Sequence, residues 1–376
     1  MPRRWIAALV GWRLLWLALP LAFAASSLWP FSVADFAANF HRPADTPPHL
    51  ATRWATWDGQ HYLEIAEHGY VAGRVSSAFW PLWPTAVRLV APLTGGSYLP
   101  AALLAALLFS ILGLVGFTTW VREREESPAA SGALFALLAF PSAFYLGLPY
   151  SEALFLALAA GLLLAIDRRR LALAALAAFA LTLTRPVGLF VLPALVAALS
   201  RFRSAGASRG ARLLLVASPL VGVAAYALIH LLLTGDPRGA LGVRGVFVSG
   251  QSLSRLLDPI GLVTSFFRID ALHSIRGSLL DRLAFVAVVA TFPALWRRDR
   301  IAFWYALPMA LVPAMTLHYM AFTRFALAVL PAFWILGRAW SPERPHLRRL
   351  AWVLAALGLV LQLWLYARHT ANLWAG

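Results

Sequence analysis

The chain alternates between long apolar runs and short clusters of arginine, and this pattern limits what it can fold into more than any motif does. Residues 5–29, 98–120, 213–233 and 350–366 are nearly free of charge, and runs of about 20 such residues match the hydrocarbon thickness of a bilayer. Inside hydrocarbon every backbone N–H and C=O must be bonded within the protein, which a helix achieves residue by residue. With 61% hydrophobic and 13% charged residues and a mean hydropathy of +0.72, the chain is far from soluble domains, where roughly a quarter of residues are charged. The expected fold is all-α: a polytopic transmembrane helical bundle forming one integral domain over residues 1–376, with no internal repeat. Cysteine is absent, so disulfides, thiolate metal sites and thiol nucleophiles are excluded. The net charge of +16 needs no nucleic-acid partner, because arginine between apolar runs is what the positive-inside rule produces.

That rule also orders the spans. Arg3 and Arg4 precede the first run and place the N-terminus in the cytoplasm; the run is longer than the apolar part of a signal peptide and no cleavage pattern follows it. Arg13 lies about a third of the way in, where a long cation either snorkels to the interface or faces the bundle; snorkelling is the expectation. Residues 78–93 carry Pro81, Pro84, Pro92 and Arg88 in a stretch too short to span, and read as interfacial or re-entrant. Leaving this segment uncrossed places all five basic loops, 122–126, 167–170, 201–212, 296–300 and 338–349, on the cytoplasmic side; crossing it would reverse them. Residues 171–199 return to the side they left and are broken by Thr184-Arg185-Pro186-Val187-Gly188, which suggests two half-depth or tilted helices with Arg185 in a cavity. The count is about eleven crossings, with a first external loop at 30–97 and a second at 234–281. The second carries Arg238, Arg244, Arg255, Arg268, His273 and Arg276, a basic outer surface suited to an anionic ligand.

The densest group of ionisable side chains lies in the first external loop, in Trp57-Asp58-Gly59-Gln60-His61-Tyr62-Leu63-Glu64-Ile65-Ala66-Glu67-His68-Gly69-Tyr70. The spacing predicts about three turns of helix with Asp58 as N-cap and Gly69 as terminator. Asp58, His61, Tyr62 and Ile65 then share one face, and Glu64 and His68 make an i, i+4 pair. A capped surface helix would look the same. Topology separates the two readings, since it brings Asp58 and His61, Glu152 at the outer rim, Arg185, and the turn holding His318, Tyr319 and Arg324 to the same outer side. A carboxylate can act as general base on a hydroxyl, and guanidinium groups can hold a phosphate leaving group. The combination suits glycosyl or phosphoryl transfer. No Walker lysine, dinucleotide fingerprint or DxD pair points to a nucleotide, so the donor is expected from the membrane, as a polyprenyl-phosphate sugar. No cofactor is implied. A divalent metal stays open, because His41, His49 and His61 lack a recognisable ligand spacing.

These residues carry a resemblance. Trp57-Asp58-Gly59-Gln60-His61-Tyr62 with Ile65-Ala66 and Gly69-Tyr70 is similar to the first-loop motif of the GPI mannosyltransferase 2 (PIG-V) family. Ala78-Phe79-Trp80-Pro81-Leu82-Trp83-Pro84 resembles that family's aromatic-proline segment. Pro141-Ser142-Ala143-Phe144, Pro149-Tyr150-Ser151-Glu152-Ala153-Leu154-Phe155, Thr184-Arg185-Pro186-Val187-Gly188 and Arg324-Phe325 through Leu330-Pro331 resemble later motifs, in family order. The resemblance implies a GT-C glycosyltransferase fold, inverting transfer from a polyprenyl-phosphate hexose, and Asp58 as the catalytic carboxylate. The expected site has Asp58, His61 and Glu152 as catalytic groups and Trp57, Tyr62, Tyr150, Arg185, His318, Tyr319 and Arg324 around the substrate. The chain is shorter than eukaryotic members, has Phe325 where tyrosine is common, and its arginine-rich style suits a bacterial cytoplasmic membrane. A bacterium builds no GPI anchor, so the acceptor is left as a lipid or glycan on the outer face, with mannose as the expected hexose. The competing reading is a transporter or flippase of a lipid-linked intermediate; it fits poorly with the missing repeat symmetry and with polar groups gathered on one side instead of at the midplane.

Overall fold

A computed structural model describes residues 3–40, 47–239 and 253–376; His41 and Arg244 lie outside them. The described chain is helical, with one isolated bridge between Ala271 and Ser278. In chain order the helices are α1 (Arg3–Ala25), α2 (Val33–Ala38), α3 (Asp58–His68), α4 (Leu82–Val90), α5 (Tyr98–Arg122), α6 (Ser127–Leu138), α7 (Glu152–Asp167), α8 (Leu171–Thr184), α9 (Leu192–Ser204), α10 (Arg209–Thr234), α11 (Pro259–Phe266), α12 (Leu279–Val289), α13 (Phe292–Arg298), α14 (Arg300–Leu317), α15 (Phe322–Ala326), α16 (Leu330–Gly337) and α17 (Pro345–Thr370).

Among the described residues, seven helical stretches are long and apolar enough to cross a bilayer: Arg4–Ala25, Tyr98–Arg122, Pro186–Ser204, Arg209–Thr234, Leu279–Arg298, Arg300–Leu317 and Pro345–Thr370. The other four segments in the expected count hold α6, α7, α8 and α16, of 12, 16, 14 and 8 residues. Residues 82–90 form a nine-residue helix, about 13 Å long, well short of the roughly 30 Å hydrocarbon core.

The break in residues 171–199 falls where the sequence places it. α8 stops at Thr184, a 3₁₀ turn runs over Pro186–Val191, and α9 begins at Leu192. Proline supplies the stop, and Gly188 supplies room, since a Cβ there would run into the Leu181 backbone. Arg13 does not snorkel. It is 3% exposed, with Nη1 3.4 Å from the Ala143 carbonyl, because α1 packs its arginine face onto the 143–147 turn and not toward lipid.

α7 has a charged cluster at each end. At its C-terminal end the five basic loops meet: Arg124 pairs with Asp167 at 2.5 Å and Asp299 at 3.2 Å, Arg201 reaches the same two carboxylates at 2.6 and 3.7 Å, and Arg338 pairs with Glu125. At its N-terminal end sits Glu152. α3 reaches that end because Tyr62 and Ala66 pack with Trp83 and Val87 of α4 on the alanine stripe of α5, including Ala101 and Ala105. The C-terminus closes over the same end, with the Ser32 amide 2.8 Å from the Ala371 carbonyl and Arg53 Nη1 3.2 Å from that of Thr370.

Candidate active site

α3 starts differently from the expectation. Trp57 is its N-cap, with φ 53° and ψ −126°, and Asp58 is the first helical residue, without a side-chain capping bond. The left-handed turn at Trp57 lets backbone carbonyls take the first amides, Gly59 N–H to Thr56 O at 3.2 Å and Gln60 N–H to Trp57 O at 3.1 Å. The carboxylate is thereby released from capping. Gly69 ends the helix as expected, at φ 74°. Glu64 takes Arg74, from the turn after the helix, which places a guanidinium over a buried carboxylate.

The released Asp58 carboxylate is the outer end of a chain of four charges. Arg324 Nη1 lies 2.6 Å from Asp58 Oδ2, and Arg324 Nε bonds to Glu152 Oε1. Arg185 Nη1 meets the same Glu152 oxygen at 2.6 Å. The order is Asp58–Arg324–Glu152–Arg185, drawn from α3, α15, the first residue of α7 and the break after α8. Side-chain exposure is 33% at Asp58, 9% at Arg324 and 2% at Glu152, the most buried member, and rises again to 14% at Arg185. Glu152, at the end of α7, is therefore shielded from solvent by the bundle. Glu152 is thus the more buried of the two carboxylates and is held by two cations, and Asp58 is the more exposed. A small crevice, about the size of one water, lies beside Glu152 between Arg185, Arg324, Phe325 and Val187.

Aromatic rings fix the chain's geometry. The Arg324 guanidinium lies 4.7 Å from the Tyr150 ring centroid and 5.0 Å from that of Tyr145, and Arg185 lies 5.2 Å from Phe325; each face offers cation–π attraction. Tyr150 donates to the Thr56 carbonyl at 2.7 Å, and the Tyr62 hydroxyl is 2.9 Å from Ser151 Oγ. These two bonds tie α3 to the turn before α7, so both tyrosine hydroxyls are engaged by protein. Gly59 allows the approach: a Cβ on it would stand 3.3 Å from Pro149 and 3.4 Å from Tyr150. His61 is stacked between Phe40 and Phe79 at centroid distances of 4.1 and 4.6 Å. Burial between the rings pushes its pKa down to about 4, against a smaller upward pull from Asp58 and Glu64, so it is a neutral ring at pH 7.

The side chains of the remaining expected residues pack against other partners. Trp57 packs edge-on to Trp374 at 5.6 Å. Tyr319 sits among Phe266, Phe285 and the Arg282 guanidinium, and His318, in the left-handed region, ends α14. Sequence reasoning passed over Tyr145, Thr56, Ser142, Thr323 and Asp281. Only Asp281 left a signal, as an acidic residue opening an apolar run. Among the described residues no three His, Asp or Glu side chains gather as a metal-ligand set.

With this geometry in hand, comparison with solved structures decides the architecture. The archaeal oligosaccharyltransferase AglB from Archaeoglobus fulgidus, in complex with an inhibitory peptide and a dolichol-phosphate, superposes with a TM-score of 0.50 at 11% identity, over 100% of this chain and 56% of that one. The fold is GT-C-like. The apo form of the Archaeoglobus fulgidus enzyme gives a TM-score of 0.50 at 12% identity, over 97% of this chain and 56% of that one. This chain thus spans little more than half the length of these GT-C neighbours. No family model and no curated protein sequence matches it, so the resemblance to the PIG-V family stays one of motifs.

Proposed function

We propose that the protein is a membrane glycosyltransferase that moves a hexose, with mannose first in line, from a polyprenyl-phosphate donor to a lipid or glycan hydroxyl. The observation that carries this reading is the charge chain, which sets one reachable carboxylate, Asp58, 2.6 Å from a guanidinium anchored from behind by Glu152. An inverting transfer needs this pair of groups. The acceptor oxygen attacks the anomeric carbon, Asp58 takes its proton, and the bond from that carbon to the phosphate oxygen breaks with inversion. The departing phosphate keeps the electron pair, and Arg324 and Arg185 offset its charge. His61, stacked and neutral, orients a sugar hydroxyl and leaves proton transfer to Asp58.

The GT-C-like fold and the dolichol-phosphate held by the AglB neighbour are both in keeping with a lipid-linked donor, and the family motifs favour a monophosphate hexose. The five basic loops meet at the end of α7 opposite Asp58. The positive-inside rule favours a cytoplasmic position for that end, which supports a site on the outer face of a bacterial cytoplasmic membrane. The test is to incubate purified protein with polyprenyl-phosphate mannose and a panel of lipid and glycan acceptors, and to follow sugar transfer by mass spectrometry. A new glycosidic product is expected. No product from any polyprenyl-phosphate or polyprenyl-diphosphate sugar, together with movement of the lipid between leaflets in vesicles, would replace this reading with the transporter.

A further inference from the structure

Four of the six non-glycine residues with positive φ among the described residues lie next to the charge chain. Trp57 precedes Asp58, and His318, Tyr319 and Ala321, at φ 50°, 66° and 57°, lie just before Arg324. Left-handed backbone is unfavourable for residues with a Cβ, and such conformations persist only where surrounding structure over-determines them. Some contact must hold the 318–324 arm in place.

The contact is at Thr323, the residue before Arg324. Its amide donates to Asp281 Oδ1 at 2.8 Å and its hydroxyl to the same oxygen at 2.9 Å. Its carbonyl accepts from Ser142 Oγ at 2.7 Å. Asp281 and Ser142 are fully buried and Thr323 is 1% exposed, so no water competes for these bonds. Arg282, next in sequence, is occupied elsewhere, donating to the carbonyls of Ser265, Phe266, Arg268, Arg276 and Ser278. A carboxylate buried in an apolar bundle is costly, and hydrogen bonds to a charged acceptor are the strong ones. Both bonds to Asp281 Oδ1 come from Thr323.

We infer that Asp281 is a positioning residue for Arg324: with Ser142 it clamps the Thr323 peptide, holds the strained arm, and so aims the guanidinium that joins Asp58 to Glu152. The clamp follows from geometry, while its catalytic consequence rests on the transferase reading above. Sequence gave no pointer to it, because the clamp joins a turn after α6, the start of α12 and the start of α15.

Phenylglyoxal modification of the full-length protein, read at each arginine by peptide mass spectrometry, tests the clamp without an activity assay. Asp281→Asn keeps an acceptor oxygen of the same shape, so Arg324 should stay as slow to react as in the wild type. In Asp281→Ala the arm is released, and Arg324 should react at least about tenfold faster through local opening, with the arginines of the basic loops unchanged. An unchanged Arg324 rate in folded Asp281→Ala protein, or a uniform rise at every arginine, would overturn the proposal. Should Asp281→Ala fail to fold, Thr323→Val removes only the hydroxyl bond and should raise the same rate by a smaller factor; no rise would count against the clamp equally. Transfer kinetics then add a second reading, since the losses from Asp281→Ala and Arg324→Lys should not add if the first acts through the second. A wild type without transfer would sink the proposed function and leave the labelling result standing.

Discussion

The two ends of α7 carry ionic networks made of the same side chains under different access to water. Glu152 opens the 16-residue helix and Asp167 closes it, about 22 Å away along the axis. Each binds two arginines. Glu152 has a side-chain exposure of 2% and sits at the helix N-terminus, where the dipole favours a negative charge. Asp167 is 14% exposed at the C-terminus, where the dipole opposes it, and its partner Arg201 is 37% exposed. The first network is a single file that leads inward from one reachable acid. The second is a ring in which Asp167 and Asp299 share Arg124 and Arg201, joining four loops between residues 124 and 299. We read the first network, built around the 2%-exposed Glu152, as the one poised for chemistry, and the second, in which only Arg201 is more than 15% exposed, as a pin for the loops. Substitutions at the two ends should therefore differ in kind.

The largest contrast is expected at Asp58. Asp58→Asn keeps shape and leaves the start of α3 intact, because that start rests on Trp57 and backbone bonds. It cannot accept the acceptor's proton, so turnover should fall by about 10²–10⁴ while donor binding and melting temperature hold. Asp167→Asn, at the other end, should leave turnover unchanged. Comparable activity losses in both variants would end the division of labour between the networks.

The next effect in size is on stability. Arg324→Ala leaves Glu152 with one cation inside the bundle, and breaking a buried pair typically costs about 3–5 kcal/mol. Thermal unfolding in detergent should show the drop, and donor use should weaken with it. Arg185→Lys should recover only part of the donor affinity lost in Arg185→Ala, since an ammonium lacks the planar fork of a guanidinium. Wild-type stability in Arg324→Ala would mean that water reaches Glu152 after all.

What the sequence could and could not foretell follows from the range of its rules. Apolar run length and the five basic loops located the helices, and proline with glycine located the break at 184–188, because these are local properties. Helical spacing put Asp58, His61 and Tyr62 on one face for the same reason. It could not find the partner of Asp58, which is 266 residues away, nor that Phe40 and Phe79 enclose His61. Asp58 was misread as a cap because Asp before an apolar-periodic stretch is a common cap signal, and a left-handed tryptophan at position 57 leaves no such signal. Arg13 was misread because snorkelling depends on which way a helix faces, which packing decides. Tyr150 does lie against Arg324 and Tyr62 beside Ser151, yet their hydroxyls hold Thr56 and Ser151.

A pH effect separates His61 from the acids. Its pKa is held near 4 in the folded protein by burial, below the unfolded value of about 6.5. Between these values the unfolded chain binds more protons, so stability is full above pH 6.5 and is lost as pH falls toward 4, by up to about 1.4 kcal/mol per pH unit. His61→Phe keeps an aromatic ring between Phe40 and Phe79 and should flatten that dependence. The difference in melting temperature between pH 7 and pH 4.5, compared for the two proteins, measures it. An equal acid sensitivity in His61→Phe would show that the ring is not buried in neutral form.

The smallest effect is expected at Arg201, and it sharpens the contrast most directly. Arg201 Nη1 lies 2.6 Å from Asp167 Oδ1, as short a distance as that between Arg185 and Glu152. Distance alone would rate the two pairs equally. Exposure does not, because a pair open to water gains little Coulomb energy and is screened by salt within about 8–10 Å. Asp167 also keeps Arg124 at 2.5 Å when Arg201 is removed. Arg201→Ala should therefore cost no more than about 1 kcal/mol, lose most of that cost in high salt, and leave turnover untouched, whereas Arg185→Ala should keep its penalty at every salt concentration. Melting curves of both variants in low and high salt decide the matter. A salt-insensitive loss of several kcal/mol in Arg201→Ala, on the scale of a broken buried pair, would mean that the basic-loop ring is as dry as the active-site chain, and that both ends of α7 are built for precision.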